Sequence, residues 1–154
     1  MKKLFILALI CLVSSTFAQS DSTKTKATGY LSFGTSITNG NDFKTTSYPS
    51  IEGGIMAKNL GLGLVIGRGN FHQLGAKTDK IENYYYEAKA TASYPIGILN
   101  ANIVLGYGQY FNTKHNFIEY GAGFSYCEGI MGYGVTYSNW DGVNYITPSI
   151  TFNF

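Results

Sequence analysis

The stretch "YITPSITFNF", residues 145–154, is apolar at every second position. Ile146, Pro148, Ile150, Phe152 and Phe154 share one parity, while Tyr145, Thr147, Ser149, Thr151 and Asn153 share the other. A period of two is that of a β-strand lying between two unlike environments. The same division recurs upstream. Leu60, Leu62, Leu64 and Ile66 stand against Gly61, Gly63 and Gly67; Ala88, Ala90 and Ala92 against Glu87, Lys89 and Thr91. Leu99, Ala101, Ile103 and Leu105 stand against Asn100, Asn102, Gly106 and Gly108, and Met131, Tyr133, Val135 and Tyr137 against Gly132, Gly134, Thr136 and Ser138.

Reading outward from this pattern gives segments at 28–37, 48–57, 60–68, 83–94, 99–110, 116–126, 130–139 and 143–154. Each is close to the ~9–11 residues that a tilted transmembrane strand needs. No stretch of useful length has helical periodicity. The expected fold is all-β: one eight-stranded, antiparallel, up-and-down transmembrane β-barrel over residues 28–154. Connections alternate in length. Lys58-Asn59, Pro95 to Ile98 and Glu128-Gly129 read as tight turns, whereas 38–47 and 69–82 read as long polar loops, and "NTKH" (112–115) and "NWDG" (139–142) as shorter loops on the same side. Pro148 cannot donate a ladder hydrogen bond, so a bulge is expected between Thr147 and Ser149.

Residues 1–18 read as a secretory signal peptide: Lys2 and Lys3, an apolar run from Leu4 to Val13, and the small pair Thr16 and Ala18 before a cleavage point. The apolar run is too short for a spanning helix. Cys11 follows the bulky Ile10, which argues against lipidation. Residues 19–27, "QSDSTKTKA", read as a flexible periplasmic leader. The whole chain holds 11 basic and 9 acidic residues, and the two amino-terminal lysines account for the difference. The exported portion is therefore neutral and carries no electrostatic footprint for nucleic acid. Cys127 is its lone cysteine, which excludes an internal disulfide. His72 and His115 fall in loops without partners at metal-ligand spacing, so no metal or cofactor is expected.

Alternation also assigns heights to the aromatic residues. Outward Tyr84, Tyr86, Tyr107, Tyr120 and Tyr137 fall near the loop ends of their strands. Tyr94, Phe124, Tyr126, Tyr133 and Phe152 fall near the turn ends. Two girdles with Ala, Leu, Ile and Val between them match the preference of amphipathic rings for headgroup zones, with outer-membrane lipids as the surrounding medium.

With these features the chain resembles the small outer-membrane β-barrels of the OmpA and OmpX type, over residues 28–154. The resemblance implies location in the outer membrane of a Gram-negative bacterium. It also implies that Ile150, Phe152 and Phe154 serve as the signal read by the barrel-assembly machinery. It says little about activity. Inward Glu52, Glu87, Lys89 and Glu119 would crowd a narrow lumen, reach across the glycine positions 61, 63, 67, 106 and 108, and bond to one another as a polar plug. The expected function is structural or interactive, with Asn39, Asp42, Lys44, Phe71, His72 and Lys77 of the longer loops as a contact surface, in a larger outer-membrane complex or alone. The alternatives are a narrow gated, porin-like channel and a lipid A-modifying enzyme. The last would need a base and nucleophile at the rim, and Ser125 and Glu119 point inward, so the protein is read as no enzyme. The run "GLGLVIG" (61–67) lacks the following helix that a phosphate site requires.

Overall fold

The structure, a computed structural model, describes residues 27–38, 46–71, 81–140 and 142–154. Among them eight strands form: β1 (Thr28–Thr38), β2 (Thr46–Ala57), β3 (Leu60–Phe71), β4 (Ile81–Ile96), β5 (Leu99–Tyr110), β6 (Asn116–Glu128), β7 (Met131–Trp140) and β8 (Val143–Asn153). Each pairs antiparallel with its neighbours in sequence order, and β8 returns to β1 to close the barrel. The expected signal peptide and residues 19–26 of the leader lie outside the described residues.

Partners followed once around the ring fix the shape. From Glu128 the ladder passes through Met131, Phe152, Leu31, Gly53, Leu64, Ala88 and Tyr107, and it re-enters β6 at Ile118. The circuit thus closes 128 − 118 = 10 residues away from its start. With ~3.3 Å per residue and ~4.8 Å between strands, that stagger over eight strands tilts them about 40° from the axis. The radius follows as about 8 Å, room for side chains and little more.

Strands run farther than the alternation suggests. β3 reaches Phe71 and β4 begins at Ile81, so the connections expected at 38–47 and 69–82 shrink to 39–45 and 72–80. Those stretches lie outside the described residues, and with them Asn39, Asp42, Lys44, His72 and Lys77 of the expected contact surface. Phe71 is instead the last residue of β3, paired in the backbone with Ile81. At the opposite end, Pro95 and Ile96 still pair with Asn100 and Leu99, leaving Gly97-Ile98 as the turn, and β6 holds Glu128, leaving Gly129-Ile130. All three tight turns place a left-handed residue first: Lys58 (φ 58°), Gly97 (φ 62°) and Gly129 (φ 60°). Glycine takes this conformation without steric cost and lysine does not.

The bulge expected at Pro148 does not form. Val135 faces Pro148 in an unbroken β7–β8 ladder, and the β1–β8 register is the same on both sides of the proline, Gly34 with Ser149 and Ile37 with Ile146. What the missing N–H costs is pairing with β1 between those two points. Ser36 Oγ and Thr147 Oγ1, 2.9 Å apart, tie the strands across the gap.

Burial alternates as the sequence does, with the usual sense inverted. Leu64 is 70% exposed, Ile103 67% and Ile66 61%, while Glu87 is 2% exposed and Glu119 4%. Among the described side chains of the strands, the outward face carries charge only at Arg68, toward the loop end of β3, and at Glu128, at the turn end of β6.

Candidate functional site: the barrel lumen

The interior divides into a roof, a charged tier and a polar cup. The roof occupies the loop end, where Tyr48, Val65, Tyr85, Tyr110, Phe117, Trp140 and Tyr145 form a buried apolar cluster. Tyr85 stands at its centre, 1% exposed. Its ring meets Trp140 edge-to-face at 5.2 Å, Phe117 at 5.5 Å and Tyr110 at 6.1 Å. Trp140 stacks on Tyr145 at 4.4 Å and on Phe117 at 5.6 Å. Offset and edge-on contacts are the arrangements the ring quadrupoles favour, so the rings close the barrel as a packed lid of their own. The expectation of a purely polar plug misses this lid. Its signal was present: inward parity combined with aromatic identity at the loop ends of β4 to β8.

Below the roof, register explains how the charges meet. Glu52, Val65, Glu87, Gly108 and Phe117 lie on one ladder row, and Gly54, Gly63, Lys89, Gly106, Glu119 and Trp140 on the adjacent one. Lys89 is thus flanked by glycine on both sides. Lys89 Nζ pairs with Glu52 Oε2, and Tyr30 Oη donates to Glu52 Oε1 at 2.6 Å. Both oxygens of Glu52 are engaged.

The glycines do not all serve the charges. A Cβ at Gly63 would meet Tyr30 Oη and Glu52, and one at Gly106 would run into Glu87 Oε1. Gly67 instead makes room for the Tyr85 ring, Gly108 for Phe117, and Gly61 for Met56. Two of the five thus admit carboxylates, and the others admit the lid and a methionine. At none of these five is Lys89 among the nearest side chains.

Toward the turn end the lumen opens into a cup of about 160 Å³. Its lining runs from Tyr85 and Trp140 through Glu87, Glu119, Lys89 and Glu52 down to Asn153 and the exposed thiol of Cys127. Short polar chains hold the wall together. Ser93 Oγ donates to Asn102 Oδ1 at 2.8 Å and Asn102 Nδ2 to Ser125 Oγ at 2.9 Å, and across the seam Thr151 Oγ1 donates to Ser32 Oγ at 2.9 Å.

The residues a lipid-modifying reaction would need are not brought together. Ser125 is held by Asn102 on the lumen wall near the turn end of β6. His115 lies just before the other end of that strand, its ring stacked on Tyr110. The outward aromatics sit where alternation puts them: Tyr84, Tyr86, Tyr107, Tyr120, Tyr137, Tyr94, Phe124, Tyr133 and Phe152 are exposed, and Tyr126 is half-buried with its hydroxyl 3.0 Å from Glu128 Oε2. In the last strand, Ile150 and Phe152 face outward, and Phe154 exchanges backbone hydrogen bonds of 2.9 Å with Gly29 in both directions.

No protein-family model and no curated protein sequence matches the chain. Among solved structures it is similar to the Neisserial surface protein A, with TM-score 0.48 and 14% identity over 83% of this chain and 97% of that one. It is also similar to Ail, the attachment invasion locus protein of Yersinia pestis, with TM-score 0.44 and 14% identity over 86% and 100%. The likeness that carries weight is to the N-terminal β-barrel domain of Pseudomonas aeruginosa OprF, with TM-score 0.53 and 12% identity over 84% of this chain and all of that one. The chain therefore folds as a closed, eight-stranded antiparallel barrel, an architecture it shares with that domain.

Proposed function

We propose that the protein is an integral outer-membrane barrel of a Gram-negative bacterium, exported by a signal peptide cut after Ala18. Its role is structural or interactive, and its lumen is closed to ions at the external end. The observation that carries this reading is the inverted surface. Between Arg68 at one rim and Glu128 at the other, the outward face holds no charge among the described strand side chains, while Glu52, Glu87, Lys89 and Glu119 are turned inward. Water would favour the opposite arrangement, and hydrocarbon favours this one. Loops then face outward from the cell, turns face the periplasm, and the aromatic rows lie at the two headgroup zones. No catalytic step is assigned, because the candidate base and nucleophile are apart. Folding by the barrel-assembly machinery through Ile150, Phe152 and Phe154, and membership in a larger envelope complex, belong to the same reading.

Fractionation of cell envelopes tests it. The protein is expected to stay in the outer-membrane pellet after alkaline carbonate and urea washes, to begin at Gln19, and to migrate faster on gels before boiling than after. Recovery in the soluble fraction with Met1 retained would overturn the reading.

A further inference from the structure

Two of the chain's three prolines, Pro49 and Pro148, stand inside strands, and register sets them on either side of one residue of β1. Thr35 pairs with Pro49 on β2, and the β1–β8 register puts Pro148 across from it on the other side. A strand residue turns its N–H and C=O to one neighbouring strand, so a proline keeps a ladder intact only on the side it turns away from. Pro49 keeps the ladder with β1, and Pro148 the ladder with β7. The missing N–H therefore faces β3 in the first case and β1 in the second. Pairing fails on both of those sides. Among the described residues, β2–β3 pairing stops at Ser50 with Gly67, although β2 continues to Thr46 and β3 to Phe71. Toward β8, Ile37 with Ile146 is the one described pair beyond the proline. Between β1 and β2 themselves the ladder runs unbroken to Thr38 and Thr46.

Residues 35–38 and 46–49 are thus joined well to each other and poorly to the wall. Of their described side chains, Ser36, Thr38 and Tyr48 are buried, and Tyr48 is the one ring they give to the roof. The hydroxyl pair of Ser36 and Thr147 ties them to β8. We propose that these two segments form a flap that leaves the wall as one unit while the other strands stay closed, a gate in the external closure of the lumen. Opening carries Tyr48 out of the roof and uncovers the cluster it packs in. The break lies at the rim: one step past Ser50 and Gly67, Pro49 stands opposite Arg68, where water reaches the freed backbone. Regions with few apolar contacts open at a lower free energy than the whole fold. A two-stranded ribbon detached from its sheet is marginal in water, so the flap's own amides exchange once it is out. The flap rests on strand pairing rather than on where the barrel resides, and envelope fractionation tests the latter alone.

Amide hydrogen exchange followed by NMR, on the refolded full chain in detergent micelles, tests the gate. Amides of the β1–β2 ladder at 36–38 and 46–48 are expected to share one opening equilibrium and to exchange roughly a hundredfold or more faster than those at the loop ends of β6 and β7, residues 117–119 and 138–140. A latch supplies the second arm. In a chain carrying Cys11→Ser and Cys127→Ser, the changes Ser36→Cys and Thr147→Cys place two thiols where the hydroxyls meet. Oxidised, that pair is expected to slow flap exchange roughly tenfold or more against the same protein reduced, and to leave β6 and β7 unchanged. Three results would overturn the flap: wild-type amides there as slow as those of β6 and β7, rates that climb toward the loop with no common opening, or a closed disulfide without effect on them. The wild-type comparison alone decides the matter if the disulfide does not form.

Discussion

Lys89 and Glu52 show what a single pair does in this barrel. Glu52 accepts from both Tyr30 and Lys89, so removing the ammonium leaves its buried carboxylate without a counter-charge, close to Glu87 and Glu119. Lys89→Met is expected to lower the free energy of unfolding by about 3–5 kcal/mol, read from urea titration of the barrel in vesicles. Glu52→Gln added to it is expected to return part of that loss, and a double variant no more stable than the single would show that the pair is not what holds the tier. Gly106 is a tighter constraint, because a Cβ there falls on Glu87 Oε1. Gly106→Ala is expected to cost about 1–3 kcal/mol through overpacking. Lys58 runs the other way: at φ 58° it occupies a conformation that Gly97 and Gly129 hold at the equivalent turn positions. Lys58→Gly is expected to stabilise by about 1 kcal/mol in the same titration.

Strand identity was legible in the alternation because the inward and outward solvents differ along every strand, and an error of one residue would turn Leu64 and Glu87 to the wrong sides. Strand ends were less legible, since Gly69, Asn70 and Glu82 are poor strand residues by type yet pair in the β3–β4 ladder as it extends past the apolar belt. The members of the charged tier could be read from parity. Which of them meet could not, because the registers of the four strand pairs from β2 to β6 decide that Lys89 lies one row from Glu52 and on the row of Glu119. Nor was the aromatic lid legible by alternation alone, which marks inward positions as polar or small and has no rule for Tyr85, Phe117 and Trp140. The lid is where an element-level test applies. Trp140→Ala removes stacking on Tyr145 and Phe117 and an edge contact with Tyr85, with an expected cost of about 3–5 kcal/mol. It is also expected to produce planar-bilayer conductance where the wild type shows none. Steady ion-selective conductance through the wild type would show that the lid does not seal.

The whole molecule is a barrel whose outward belt and inward tier have exchanged the places they would hold in water, which is stable only if hydrocarbon surrounds that belt. Leu64, 70% exposed and midway along the outward face of β3, is the place to ask. The measurement is the change in unfolding free energy in phospholipid vesicles for Leu64→Arg, set beside Glu128→Arg at the turn rim. If the belt lies in hydrocarbon, arginine at position 64 costs about 2–4 kcal/mol and arginine at position 128 costs about 0–1 kcal/mol. Equal and small costs at the two positions would mean that Leu64 faces water, and the membrane reading would be contradicted.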